Sequence, residues 1–278
     1  MARSFFRLCA ASFFVVSLCA ACAPSPENGV VYCPNDEYSA YPSLLSQILP
    51  AYTVKTGDKK PFAYLDEGAA ALAFEAQAVS ALEAGTAKYW YPQCLATLVI
   101  AVDRERTDAV ISGWNDLPAA KEEIGVCLDF SSTRQNIQML FAAIARGLEG
   151  EQYTMKGTAR FLAAIYADGR LIRNSFEPAV LICYDYQAAA LLRQGRHMEV
   201  IVPCEGTFSY EKGILSNTAL AFSGGTEALL LEAGFRLIDG SCDEALYPAP
   251  GAYGNAHRVS DYKHFNRVAQ NVQRLKTA

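Results

Sequence analysis

One stretch of the chain predicts a strand, a helix and a second strand, and it constrains the fold more than any other. Residues 180–183 form a short apolar run with β-branched members, as expected for a strand buried on both faces. Helix-forming residues follow over 187–193, and Gly195 is a natural stop. Residues 199–202 predict the next buried strand, and 206–210 an extended crossing. We therefore expect an α/β fold whose ligands lie beyond the carboxyl ends of its strands.

The rest of the chain alternates strand and helix patterns in the same way. Apolar runs predict strands at residues 30–33, 62–65, 95–102, 124–128 and 235–238. Helical periodicity predicts helices at residues 44–52, 69–84, 135–148, 158–168, 227–233 and 259–275. This alternation indicates a mostly parallel sheet with helices on its faces.

The first 22 residues predict export. Arg3 and Arg7 precede an apolar run over 8–18, and small residues then lead to Cys22, as in a secretory signal peptide. Residues 18–22 resemble a bacterial lipobox, so we expect Cys22 to be lipidated. Cleavage near Ala23 by an ordinary signal peptidase is the alternative. Residues 23–29 form a proline-rich tether, which would hold the protein on the outer face of the cell membrane or in the periplasm.

Charge and cysteine content exclude several other classes. The net charge is −5, and the chain has no Lys/Arg cluster, so we expect no nucleic-acid partner. Disulfides are possible in an exported protein, but the sequence leaves their pairing open. No C-x-x-C follows the export segment, so we expect no zinc site, and nothing indicates a cofactor. The body of the protein carries these six cysteines: Cys33, Cys94, Cys127, Cys183, Cys204 and Cys242.

Several segments, in this order, resemble the type 2 periplasmic-binding-protein fold of solute-binding lipoproteins of ABC importers. They are residues 91–92 with the strand 98–103, residues 112–117, the turn 183–186 and residues 201–207. The resemblance is strongest to the branch that includes polyamine, ferric-ion and phosphonate or thiamine binders. It implies a monomeric, non-enzymatic protein that delivers a small polar solute to ABC permease subunits.

The same resemblance implies two lobes that close on the solute by hinge motion. Lobe 1 would comprise residues 30–105 and 206–278, and lobe 2 residues 106–205. Crossing strands near 100–107 and 205–215 would join them, with Glu205 as a hinge residue rather than a ligand contact.

By this mapping, the ligand-binding candidates are the polar residues at strand exits. Acidic residues at the strand exits suit a cationic ligand such as a polyamine, with aromatic rings around the ligand. Tyr184 and Tyr186 suit a ferric ion, whereas the exit that ends at Arg134 suits an anion. The sequence leaves these alternatives open. The candidates are Asn35, Asp36, Asp66, Glu67, Ser131, Ser132, Thr133, Arg134, Tyr184, Asp185 and Tyr186.

Two other functions compete with this interpretation. Ser209 and Lys212 match the S-x-x-K motif of penicillin-binding enzymes, and residues 55–57 match K-T-G. In those enzymes K-T-G follows S-x-x-K, whereas here it precedes it, which argues against a serine hydrolase. The second alternative is a binding or sensor lipoprotein without a transporter, which the sequence alone does not distinguish from an importer component.

Overall fold

The computed structural model describes residues 29–34, 41–57, 61–66, 69–127, 134–154, 156–167, 169–173 and 175–275. Within these ranges strands and helices alternate along most of the chain. The strands are β1 Gly29–Pro34, β2 Tyr52–Gly57, β3 Ala70–Phe74, β4 Tyr89–Asp103, β5 Ile124–Val126, β6 Leu171–Arg173, β7 Val180–Tyr184, β8 Met198–Ile201, β9 Thr207–Ser216, β10 Arg236–Leu237 and β11 Ala256–His257. The helices are α1 Tyr41–Ile48, α2 Pro61–Asp66, α3 Glu75–Glu83, α4 Arg134–Glu149, α5 Lys156–Ala167, α6 Asp185–Arg193, α7 Thr226–Glu232 and α8 Tyr262–Leu275.

The strands form a mixed sheet in the order β2-β1-β3-β9-β4-β7-β5-β6. Strands β1, β2 and β3 are mutually parallel, and β9 is antiparallel to both β3 and β4. On the other side β7 is antiparallel to β4 and parallel to β5. Strand β4 therefore belongs to both halves of the sheet.

Strand β4 changes its partner part-way along its 15 residues. Its first part pairs with β9 and ends with the pair Thr97 and Ser209. Its second part pairs with β7 and begins with the pair Leu98 and Tyr184. The two halves of the sheet thus meet at the peptide between Thr97 and Leu98.

The main core lies on one face of β4 and continues across both halves of the sheet. Alternate β4 residues from Cys94 to Val102 enter it, as the two-residue period of a strand requires. On the opposite face Val99 and Ala101 pack with Leu191 of α6. Helices therefore cover both faces of β4, which explains why its sequence from Leu95 onward is almost entirely apolar.

Strands β4 and β9 approach each other unusually closely near a bulge between Pro92 and Cys94. A Cβ atom on Gly213 would lie 2.2 Å from the carbonyl oxygen of Tyr91. Only glycine fits there without moving the backbone of one of the two strands.

Two predictions of secondary structure were wrong. Residues 62–65 lie in α2 rather than in a strand, and Pro61 occupies the first helical position, where its fixed φ and missing N–H are favourable. Residues 69–84 divide into β3 and α3 instead of forming one helix. All five residues of β3 are buried between β1 and β9, so tertiary packing outweighs the helical preference of alanine.

The remaining predicted strands and helices are present, with ends shifted by a few residues; predicted residues 128 and 168 lie outside the described ranges. No disulfide joins any two of the six cysteines, all of which the structure describes. Over the described residues, no helix has both the length and the apolar character needed to cross a membrane.

The N-terminus of α5 is capped by a carboxylate from the end of α4. Glu149 accepts hydrogen bonds from the N–H groups of Thr154 (2.6 Å), Gly157 (2.8 Å) and Thr158 (3.4 Å). Partial burial raises the pKa of Glu149, but these hydrogen bonds outweigh it and leave the pKa below its ordinary value. The ionised carboxylate thus stabilises the folded protein.

Glu149→Gln is expected to lower the free energy of unfolding by about 1 kcal/mol at neutral pH, the usual effect of a lost helix cap. The contribution is complete above the ordinary carboxyl pKa of about 4.3 and disappears as the pH falls through the lower pKa of the folded state. Urea unfolding at pH 7 and pH 3 measures it, with Glu151→Gln as the exposed control. Equal destabilisation at both pH values would contradict the assignment.

Candidate ligand-binding site

The carboxyl ends of β3 and β7 point toward each other across the middle of β4. Phe74, the last residue of β3, pairs in register with Lys212 of β9. Lys212 in turn pairs with Cys94 of β4. Tyr184, the last residue of β7, is level with Leu98. Because β3 runs parallel to β4 and β7 runs antiparallel to it, the side chains that follow these strands converge.

Aromatic side chains connect the two converging strand ends. The ring of Tyr184 stacks on Phe74 at a centroid distance of 5.2 Å and on Tyr186 at 5.6 Å. Tyr184 and Tyr186 come from the β7–α6 turn, whereas Phe74 comes from the β3–α3 turn. Stacked rings at these distances are attractive, so they hold the two turns together.

A lysine side chain lies among these rings. The ammonium of Lys212 donates a hydrogen bond to the hydroxyl of Tyr186 at 3.1 Å. Its nitrogen is 4.3 Å from the ring centroid of Tyr186, 4.9 Å from that of Tyr41 and 5.7 Å from that of Phe74. Aromatic faces attract cations at such distances. We call Lys212, Tyr41, Phe74 and Tyr186 the lysine cage.

The thiol of Cys94 lies beside the cage and contacts the hydroxyl of Tyr41. Burial raises the pKa of the Cys94 thiol to about 11, although the nearby Lys212 opposes this shift. Burial also raises the pKa of Tyr41 well above its ordinary value. The hydroxyl of Tyr41 and the thiol of Cys94 lie 3.3 Å apart and are both protonated at neutral pH.

Asp185, the first residue of α6, is buried on the other side of the same turn. Its carboxylate accepts hydrogen bonds from the backbone N–H groups of Thr97 (2.9 Å) and Tyr186 (3.0 Å), and from Nε of Arg236 (3.1 Å). Burial raises the pKa of Asp185, and the guanidinium of Arg236 and the N–H donors oppose that shift. Arg236 also stacks on the ring of Tyr253, 4.0 Å from its centroid.

Comparison with known families decides the class of protein. Residues 59–221, more than half of the chain, match the family described as bacterial extracellular solute-binding protein. The chain belongs to this family. No curated protein matches it in sequence. Members of the family bind solutes outside the cytoplasm, which agrees with the predicted export.

Solved structures of solute-binding proteins share the fold. AfuA from Actinobacillus pleuropneumoniae, solved with fructose-6-phosphate, is 16% identical, with a TM-score of 0.63 over 91% of this chain and 100% of that chain. AgtB from A. tumefaciens R10, in complex with agropinic acid, is 11% identical, with a TM-score of 0.62 over 91% and 97%. The spermidine/putrescine substrate-binding protein PotD from Streptococcus pneumoniae is 13% identical, with a TM-score of 0.55 over 90% and 99%. These similarities confirm the predicted two-lobed periplasmic-binding-protein fold.

In this solute-binding protein the structure brings three of the predicted ligand residues together, namely Tyr184, Asp185 and Tyr186. Tyr186 belongs to the cage and Tyr184 stacks on it, whereas Asp185 pairs with Arg236; ligand contact by any of them stays a prediction. Asp66 ends α2 and Arg134 begins α4. The remaining predicted residues lie outside the described ranges: Asn35, Asp36, Glu67, Ser131, Ser132 and Thr133, together with the lipidation candidate Cys22.

Sequence reasoning missed three members of the cage and also Arg236. Lys212 is the only cation in the ten-residue strand β9, but it follows Glu211 directly and the strand mixes polar and apolar residues, so no local pattern marked it. Glu205 accepts hydrogen bonds from the backbone N–H groups of Trp114 (3.0 Å) and Asn115 (2.8 Å). It therefore fixes the segment that leads into β9.

Proposed function

We propose that this protein is the exported receptor of an ABC importer and that it captures a small polar solute between its two lobes. The lobes are residues 30–105 with 206–278 and residues 106–205, and lipid on Cys22 holds the protein at the membrane. The meeting of the β3 and β7 carboxyl ends at the lysine cage carries the proposal, because ligands of such folds lie beyond these strand ends. No catalytic step is part of it.

The lysine cage favours a solute with an acidic group. An ammonium at the convergence of the two lobes attracts carboxylate or phosphate oxygens and repels a second ammonium. The aromatic faces around it would cover the carbon skeleton of the solute. The similar structures include both ligand classes, since AfuA and AgtB are named with fructose-6-phosphate and agropinic acid, whereas PotD is named for spermidine and putrescine. On the charge of Lys212 alone, a phosphonate or related acid ranks above a polyamine or a ferric ion.

Thermal unfolding with a panel of solutes tests the proposal. Protein freed of bound solute by unfolding and refolding is mixed with sugar phosphates, phosphonates, carboxylates, putrescine, spermidine and ferric iron. A solute at 100 times its dissociation constant adds about 2.7 kcal/mol of stability, which raises Tm by roughly 5 °C or more in a chain of this size. We expect such rises from acidic solutes alone.

Two results would count against the proposal. A rise in Tm with polyamines or ferric iron alone would reject the acidic ligand and would favour the acidic candidates Asp36, Asp66 and Glu67. No rise with any class would argue against solute capture. The alternative of a sensor without a transporter is distinguished by the genes beside this one, since a receptor of an importer is encoded with a permease and an ATPase.

A further inference from the structure

Asp185 and Arg236 form an ion pair that is almost completely buried. The exposed fraction is 0% for the side chain of Asp185 and 6% for that of Arg236, with 3.1 Å between Nε and Oδ2. Removing two charges from water costs several kcal/mol per ion, so such a pair persists only where its hydrogen bonds are satisfied. Here they are, because Asp185 accepts from two backbone N–H groups as well as from Arg236, and the hydroxyl of Tyr253 lies 3.4 Å away.

The pair lies where β4 leaves β9 and begins to pair with β7. Thr97 is the last β4 residue paired with β9, and its N–H donates to Oδ1 of Asp185 at 2.9 Å. Arg236 donates to Oγ of Ser209 at 3.2 Å and to Oγ1 of Thr97. The hydroxyls of Thr97 and Ser209 are 2.9 Å apart. The carboxylate of Asp185 thus accepts a hydrogen bond from the N–H group of Thr97, at the point where β4 changes from one partner strand to the other.

Each of these four residues comes from a different part of the two-lobed fold. Asp185 begins α6 in lobe 2, and Arg236 lies on β10 in lobe 1. Thr97 lies on β4, which pairs in both halves of the sheet, and Ser209 lies on β9, the partner of its first part. A single set of hydrogen bonds therefore connects both lobes and both strands. We call Asp185, Arg236, Thr97 and Ser209 the pivot network.

We propose that the pivot network fixes the axis about which the two lobes turn, so that its members position the lobes relative to each other. The inference rests on the proposed capture between lobes. Sliding one lobe past the other would leave a buried charge without its partner, which is costly. Groups close to a rotation axis move least when the lobes turn, so rotation about the network disturbs its hydrogen bonds less than other movements do.

Distance measurements between the lobes test this inference without any solute. Spin labels are placed at Glu83→Cys in lobe 1 and Lys121→Cys in lobe 2, both exposed, in a chain with Cys204→Ser and Cys242→Ser. Arg236→Lys keeps the charge but loses the planar fork that reaches three oxygens. Thr97→Val and Ser209→Ala remove one hydroxyl each. All three substitutions are expected to broaden the distribution of distances between the labels.

Arg258→Lys is the matched control, because Arg258 pairs with Glu211 inside lobe 1. It is expected to leave the distribution as in the parent protein. If the pivot variants lower Tm but keep the parent distribution, the network is merely stabilising and the inference is overturned. The distances are measured without solute, so an unchanged distribution would reject the pivot network but not the proposed solute capture. Conversely, if no solute raises Tm, the distance measurement still tests the pivot network.

Discussion

Asp185→Ala is expected to lower the free energy of unfolding by about 3–5 kcal/mol, the usual cost of removing one partner of a buried ion pair. The substitution leaves the guanidinium of Arg236 buried without its carboxylate. It also removes the hydrogen-bond acceptor of the Thr97 N–H group. Thr97 is buried at the point where β4 changes its partner strand. Both losses act on the folded state, so chemical unfolding monitored by tryptophan fluorescence measures them.

Two further variants test whether the loss of the buried ion pair causes the destabilisation by Asp185→Ala. Glu199→Ala removes an exposed partner of Arg104, and such surface pairs contribute at most about 1 kcal/mol. The double variant Asp185→Ala with Arg236→Met is expected to be more stable than Asp185→Ala alone, because methionine removes the unpaired charge. A loss for Asp185→Ala no larger than that for Glu199→Ala would show that the buried pair is not what stabilises this region.

The sequence predicted strands reliably where both faces are buried and turns follow. The run over residues 180–183 and the long apolar run ending near Asp103 became β7 and β4, since their neighbours cover them on both sides. It failed over 69–84, where five small or apolar residues precede a helix with no turn residue between them. A boundary set by packing against β1 and β9 leaves no local signal.

The candidate site was only partly predictable for a related reason. Tyr184, Asp185 and Tyr186 follow a strand directly, so the position of a strand end is enough to find them. Lys212 and Arg236 reach the same region through the register of β9 with β3 and of β10 with β4. Pairing between strands more than a hundred residues apart cannot be read from local periodicity, so the sequence did not place Lys212 or Arg236 in this region.

Lys212→Met is expected to abolish most of the affinity for an acidic solute. Methionine has nearly the same length and can fill the cage of Tyr41, Phe74 and Tyr186, so the aromatic contacts remain while the charge is lost. Truncating one partner of a buried, hydrogen-bonded charge pair costs about 2–5 kcal/mol, that is, roughly a 30-fold or greater rise in Kd. Calorimetric titration with the acidic solute that raises Tm most measures this effect.

The Tm of Lys212→Met without solute shows whether the ammonium of Lys212 mainly binds the solute or mainly stabilises the protein. If Lys212 serves mainly to bind the solute, removing a buried charge leaves Tm unchanged or raises it, because no desolvation of the ammonium is then required. The ammonium could instead neutralise a carboxylate of the protein itself. In that case Lys212→Met leaves this carboxylate without a charge partner and lowers Tm sharply, and the acidic-solute proposal is wrong. Lys88→Met, at an exposed position before β4, is the matched control and should change neither Kd nor Tm. A large rise in Kd for the acidic solute with Lys212→Met, and none with Lys88→Met, is therefore the result that the lysine cage predicts.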